Sequence, residues 1–154
     1  MKTNAMRILD AHKIHYEYFE YANDQSLTGE DIAKILNENP AKCFKTLITE
    51  GKPHEFYAFL VPVNKELDLK KAASSVNEKS VSMIPFKDLL KVTGYIHGGC
   101  SPLGMKKNYK VTIDESAKNF EDIYLSGGKV GLQLKVKLSD LIDVISPSFS
   151  PLTR

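Results

Sequence analysis

What this sequence has little of excludes most of the common chemistries. Cysteine occurs only at positions 43 and 100 of 154 residues, with no CxxC spacing. That is too few for a disulfide framework, so a reducing, cytoplasmic setting is expected. No apolar run approaches the ~20 residues of a membrane-spanning helix, so no membrane partner is expected. The first seven residues carry no apolar stretch suited to a signal peptide. His12, His15, His54 and His97 show no ligand spacing, and none pairs with a cysteine as zinc requires. Neither a metal nor a cofactor is therefore expected. Ser101 and Ser126 both lack the G-x-S-x-G elbow of a serine nucleophile. No stretch matches a phosphate-binding P-loop or a dinucleotide fingerprint. Free cysteines are usually small buried hydrophobes, which is the ordinary reading of Cys43 and Cys100. Lysine, hydroxyls and backbone amides are what remain for chemistry.

Two glycine-rich stretches stand out against this background. Gly94-Tyr95-Ile96-His97-Gly98-Gly99-Cys100-Ser101-Pro102-Leu103-Gly104-Met105-Lys106-Lys107 holds four glycines and a proline and ends on a lysine pair. Such a loop has a specified shape and leaves backbone N–H groups free to face an anion or a carbonyl oxygen. The second stretch is Ser126-Gly127-Gly128-Lys129-Val130-Gly131. Net charge over the whole chain is only +2, which argues against a DNA-coating protein. Residues 94–137, however, carry seven lysines against four acids, so the glycine loops lie in the basic part. A solvated face is the usual meaning; an anionic ligand is the alternative.

With 42% hydrophobic and 26% charged residues, the composition is that of one ordinary globular domain, 1–154. Apolar spacing predicts a helix over 3–13 behind a Thr3 cap, then a strand from Ile14 to Tyr21. Thr28 should start a second helix that Asn39-Pro40 stops. Cys43–Thr49 reads as a strand with Lys45 between Cys43 and Leu47 on one face. A lysine there either guards an exposed edge or serves in a pocket, and the two readings stand level. Glu55–Val63 is too continuously apolar for a surface strand and should be central. A third helix is predicted over Asn64–Val76, a short strand at Ser80–Met83, and a fourth helix between Pro85 and Gly94. Strands near Tyr109–Ile113, Ile123–Leu125 and Gly131–Val136 follow, with a helical turn at Glu115–Asn119. Ser139 should cap a last helix ending at Ile145, and residues 146–154 form a tail with little to anchor it. Interleaved helices and strands without strict alternation predict an α+β fold built on a mixed sheet.

Four ordered segments carry a family resemblance: Phe44-Lys45-Thr46-Leu47, Leu67-Asp68-Leu69-Lys70-Lys71, the 94–107 loop, and Tyr124 through Gly131. Together they resemble the YbaK/EbsC family, free-standing aminoacyl-tRNA deacylases related to the editing domain of bacterial prolyl-tRNA synthetases. The resemblance implies that family's fold, a single α+β domain whose mixed sheet is partly barrel-like with surrounding helices. It also implies removal of cysteine from Cys-tRNA(Pro), with the substrate's own thiol attacking the ester carbonyl and leaving as a thiolactone. Lys45 falls on the family's functional lysine. Tyr21, Ser126, Gly127 and Gly128, with Gly98, Gly99, Cys100, Ser101 and Pro102, fall on substrate-pocket positions, and Asp114 on a further acidic one. The basic region adds Lys106, Lys107 and Lys129 as expected contacts to the tRNA acceptor end. Prolyl-tRNA synthetase is the implied partner that supplies tRNA identity. Two rival readings stay open: editing of another misacylated tRNA such as Ala-tRNA(Pro) by water, and a non-catalytic module that binds aminoacyl-tRNA.

Overall fold

The computed structural model describes residues 2–154. Helix α1 (Asn4–Ala11) starts where the Thr3 hydroxyl accepts the Met6 N–H, and it buries Ala5, Met6 and Leu9. Strand β1 (Glu17–Glu20) is shorter than the 14–21 expectation. Thr28 caps helix α2 (Gly29–Ile35) through a reciprocal capping box with Asp31. That helix stops earlier than expected, because Asn37 adopts a left-handed conformation at φ 53°. Pro40 instead opens a separate 3-10 turn, Pro40–Lys42. Only Ala33 is buried on α2, and Ile35 is exposed.

Strands β2 (Phe44–Glu50) and β3 (Phe56–Pro62) form an antiparallel hairpin, with Lys45 opposite Val61. Helix α3 (Leu69–Ser75) begins five residues later than expected, because the Asp68 carboxylate caps the Lys70 and Lys71 amides. Strand β4 (Ser82–Met83) precedes helix α4 (Phe86–Thr93), which Gly94 ends at φ 87°, a conformation glycine adopts without steric cost. Then come β5 (Lys110–Asp114), a 3-10 turn at Glu115–Asn119, β6 (Asp122–Ser126) and β7 (Leu132–Lys137). Helix α5 (Leu138–Ile145) carries Ser139 inside rather than at its cap, and β8 (Ser148–Ser150) follows.

These strands make two sheets, one ordered β1-β7-β6 and one ordered β4-β2-β3-β5-β8. The first is antiparallel; in the second, β3/β5 and β5/β8 are parallel, so the sheet is mixed as expected. A single parallel bridge, Cys43 to Tyr124, joins the sheets, which otherwise do not close into a barrel among the described residues. β3 is central, and its Phe59, Leu60 and Val61 are fully buried. Removing each such side chain from water contributes ~1.5–3 kcal/mol.

One face of the larger sheet, with Phe44, Ile48, Leu60 and Ile113, packs with α1, α4 and the inner face of the smaller sheet. Its other face, with Phe59 and Val61, is covered by α3 and by Leu152. The last segment is therefore anchored, against expectation. β8 pairs with β5, and Leu152 is fully buried with its N–H donated to Asp114 Oδ1 at 2.9 Å.

Candidate functional site

The bridge between the sheets builds the site. Cys43 bridges Tyr124 in parallel register, and Lys45 and Ser126 each lie two residues further along their own strands. Ser126 pairs with Gln133 across β6/β7, and Gln133 pairs with Phe19 across β7/β1. Residues directly paired across strands share a face. Phe19, Gln133 and Ser126 therefore form one rung across the smaller sheet, and Lys45 pairs with Val61 in the larger one. Lys45 is half-buried, and no carboxylate stands within ion-pair distance of it among the described residues. Nor is its strand edge open here, since β6 lies alongside.

Tyr21 continues β1 on the same side, and its N–H donates to the Gly131 carbonyl at 2.9 Å. Burial raises its phenol pKa above the ordinary value, and the Gln133 amide is its polar neighbour. The hydroxyl nonetheless closes no hydrogen bond of good geometry. An apolar wall stands below, where the Phe19 and Tyr124 rings are 5.8 Å apart among Ala33, Leu36, Cys43 and Val63.

The two glycine-rich stretches meet each other. A Cβ on Gly99 would stand 2.9 Å from the Lys129 and Val130 backbone, so glycine is required for the loops to touch. Thr3 donates its hydroxyl to the Gly127 carbonyl at 2.6 Å, and Gln25 donates its amide to the His97 carbonyl at 2.8 Å. Gly99 N–H is taken by Ile96, and Leu103 N–H by the Ser101 hydroxyl. The N–H groups of Gly98, Cys100 and Ser101 take no acceptor among the described residues. Ser126 Oγ accepts the Gly128 N–H at 3.2 Å and keeps its own proton to donate.

Several expected site residues have other tasks. The side chains of Cys100, Ser101 and Pro102 are buried, so only the backbone of that segment can face a ligand. Burial pushes the Cys100 thiol up to about 12 and the Cys43 thiol up to about 11. Asp114 has partners of its own: one oxygen accepts Leu152 N–H and the other Ser116 N–H. It borders a separate cleft of about 580 Å³ with Lys71, Lys118 and Phe149. Lys106 and Lys107 follow α4, exposed, with Lys106 Nζ donating to the Lys91 carbonyl. Lys129 lines a different cleft of about 500 Å³ with Lys2, Asp10, Tyr18 and Glu20. Among the described residues, no cluster of three or more His, Cys, Asp or Glu stands where it could hold a metal ion. Sequence reading missed Gln133, whose signal was one polar residue inside the apolar run Leu132-Gln133-Leu134. Thr3 and Gln25 carried no signal, since their partners lie 124 and 72 residues away.

A two-sheet α+β fold of this kind matches a known class. Residues 24–144 match the model of the aminoacyl-tRNA editing domain, and the chain belongs to that family. Its relatives narrow the likeness. It is 39% identical over 153 residues to an Enterococcus faecalis protein provisionally named Cys-tRNA(Pro)/Cys-tRNA(Cys) deacylase EbsC, covering 99% of this chain and 93% of that one. It is 30% identical over 125 residues to the proline–tRNA ligase of Fervidobacterium nodosum, covering 77% of this chain but only 21% of the ligase. A crystal structure described as that of a provisional trans-editing enzyme for prolyl-tRNA synthetase superposes with a TM-score of 0.85 at 20% identity, over 100% of this chain and 99% of that one. At that identity the superposition establishes the fold.

Proposed function

We propose that this protein is a free-standing editing deacylase that removes cysteine from mischarged Cys-tRNA(Pro). The observation that carries the reading is the Cys43–Tyr124 bridge, two residues beyond which lie Lys45 on one strand and Ser126, paired with Gln133, on the other. Both protein thiols are held protonated by burial. An aminoacyl ester is already activated, so its cleavage needs a positioned, polarised carbonyl more than a strong enzyme base. The Lys45 ammonium suits the phosphate or ribose edge of the terminal adenosine and orients the ester. The N–H groups of Gly98, Cys100 and Ser101 suit the developing oxyanion.

The nucleophile in this reading is the substrate's own thiol. Its sulfur bonds to the carbonyl carbon, the ester C–O bond breaks, and the thiol proton passes to the departing ribose oxygen. A thiolactone and free tRNA result. The Phe19–Tyr124 wall bounds the space for a small side chain. Choice of tRNA is supplied by prolyl-tRNA synthetase acting alongside, in the cytoplasm.

A panel of charged tRNAs incubated with purified protein tests this. Cys-tRNA(Pro) should lose its amino acid rapidly, while Pro-tRNA(Pro), Ser-tRNA and Ala-tRNA(Pro), which have no thiol, should persist. Equal turnover of all four would replace the substrate thiol by water, and no turnover of any would reduce the protein to a binding module.

A further inference from the structure

On α4 and the loop that follows it, three large apolar side chains stand in solvent: Phe86 at 65% exposure, Leu90 at 53% and Ile96 at 47%. The Phe86 ring is stacked on the His97 imidazole, with centroids 3.9 Å apart and planes 19° from parallel. His97 immediately precedes Gly98, and the Gln25 amide holds its carbonyl at 2.8 Å. The stacked pair is thus fixed next to the backbone donors of the site.

We propose that the Phe86–His97 pair is a stacking platform for an unpaired base of a single-stranded RNA 3′ end, with the lysines of α4 and its C-terminal flank following the phosphates. This rests on the acceptor end of tRNA being what enters the pocket. Charge singles out the occupant. On α4, Phe86 and Leu90 form one stripe at i, i+4, and Lys87 and Lys91 form the stripe beside it. Lys106 joins that basic row by donating to the Lys91 carbonyl, and Lys107 follows it. Asp88, the one acid of the helix, lies on the far side from the apolar stripe. An aromatic face bordered by cations is what single-stranded nucleic acid requires: rings for the bases and charge for the backbone. Protein-docking faces are, by contrast, depleted of lysine.

Fluorescence anisotropy with a short, labelled, unacylated RNA ending in CCA tests the platform. The same RNA embedded in a blunt duplex is the control. Phe86→Ala and His97→Ala should each weaken single-strand binding about tenfold and leave duplex binding unchanged. Phe86→Trp should bind at least as tightly as the parent protein. Phe86 is mostly exposed, so circular dichroism should show these variants folded. Unchanged affinity in Phe86→Ala would overturn the proposal. So would full affinity in Phe86→Leu, which keeps apolarity without a ring face. Loss of binding to purified prolyl-tRNA synthetase in Phe86→Ala, with RNA affinity intact, would assign the face to a protein partner instead. The readout needs no ester, so a chain that cleaves no aminoacyl-tRNA can still support the platform, and an active deacylase can still refute it.

Discussion

Lys45 is half-buried, with no carboxylate in ion-pair range among the described residues, on a strand that buries Phe44, Ile48 and Thr49. Removing such a cation from water costs free energy that no carboxylate among the described residues offsets. Lys45→Ala should therefore melt at the parent temperature or slightly above it, while Cys-tRNA(Pro) deacylation falls close to background in a single-turnover assay. Lys45→Arg keeps the charge but brings a longer, planar group, and should also be badly impaired. An unchanged rate in Lys45→Ala would return the residue to an edge-guarding role. The cysteines give a prediction in pH. In the folded protein their thiols ionise at about 11 and about 12, against an ordinary value of 9.0, chiefly because burial disfavours the thiolate. Above pH 9 the unfolded chain loses thiol protons that the folded one retains, so stability must fall as pH rises. The midpoint of thermal unfolding should hold up to that pH and decline beyond it, less steeply in Cys100→Ala. Cys43→Ala and Cys100→Ala should each retain most deacylation, since neither thiol is ionised at neutral pH. At this scale Lys45 and Ser126 were legible as residue types in motifs. Gln133 was less so, because its importance comes from the strands on either side of it.

Among the elements, the C-terminal segment departs furthest from its sequence reading. Ser146–Arg154 has no periodicity and two prolines, which reads as a loose tail. It is fixed by parallel pairing of β8 with β5, by the Asp68 N–H to Leu152 carbonyl bond at 2.7 Å, and by insertion of Leu152 under α3. Leu152→Ala should cost ~2–5 kcal/mol, the range for emptying a fully buried leucine site. Urea denaturation should show a lower midpoint at unchanged slope. A loss within error would mean that the segment is anchored by its backbone alone. Helices α1 and α4 were legible because local signals suffice there: the Thr3 hydroxyl at one start, and Pro85 and Gly94 bracketing the other. The starts of α3 and α5 were not. At α3 the Asp68 carboxylate already satisfies two amides, so nothing draws residues 64–67 into the helix. At α5 the Leu138 N–H is taken by the Glu121 carbonyl, a partner far off in sequence, so Ser139 is not needed as a cap.

For the molecule as a whole, the charge asymmetry should show in tRNA binding. Phosphate contacts release counterions, so affinity must fall as salt rises, and few lysines imply a shallow slope. Neutralising Lys106 and Lys107 together should weaken binding and flatten the slope in a salt titration of anisotropy. An unchanged slope would place the tRNA surface elsewhere, with the Lys129 cleft the next region to test. Much of this molecule is determined by its sequence alone. Runs such as Phe56–Pro62 can only be central strands, and the capping residues set helix starts through bonds to their nearest amides. The glycine spacing likewise shapes loops with free backbone donors. Tertiary structure decided the rest. The two sheets are joined by one bridge between Cys43 and Tyr124, which are separated by 81 residues in the chain. Which amides of the 94–107 loop remain free, and that Asp114 accepts the Leu152 N–H, are also decided by long-range contacts. The physical reason is reach: a side chain's type and its near neighbours are written in order along the chain, whereas the register between distant strands emerges only when the whole core closes.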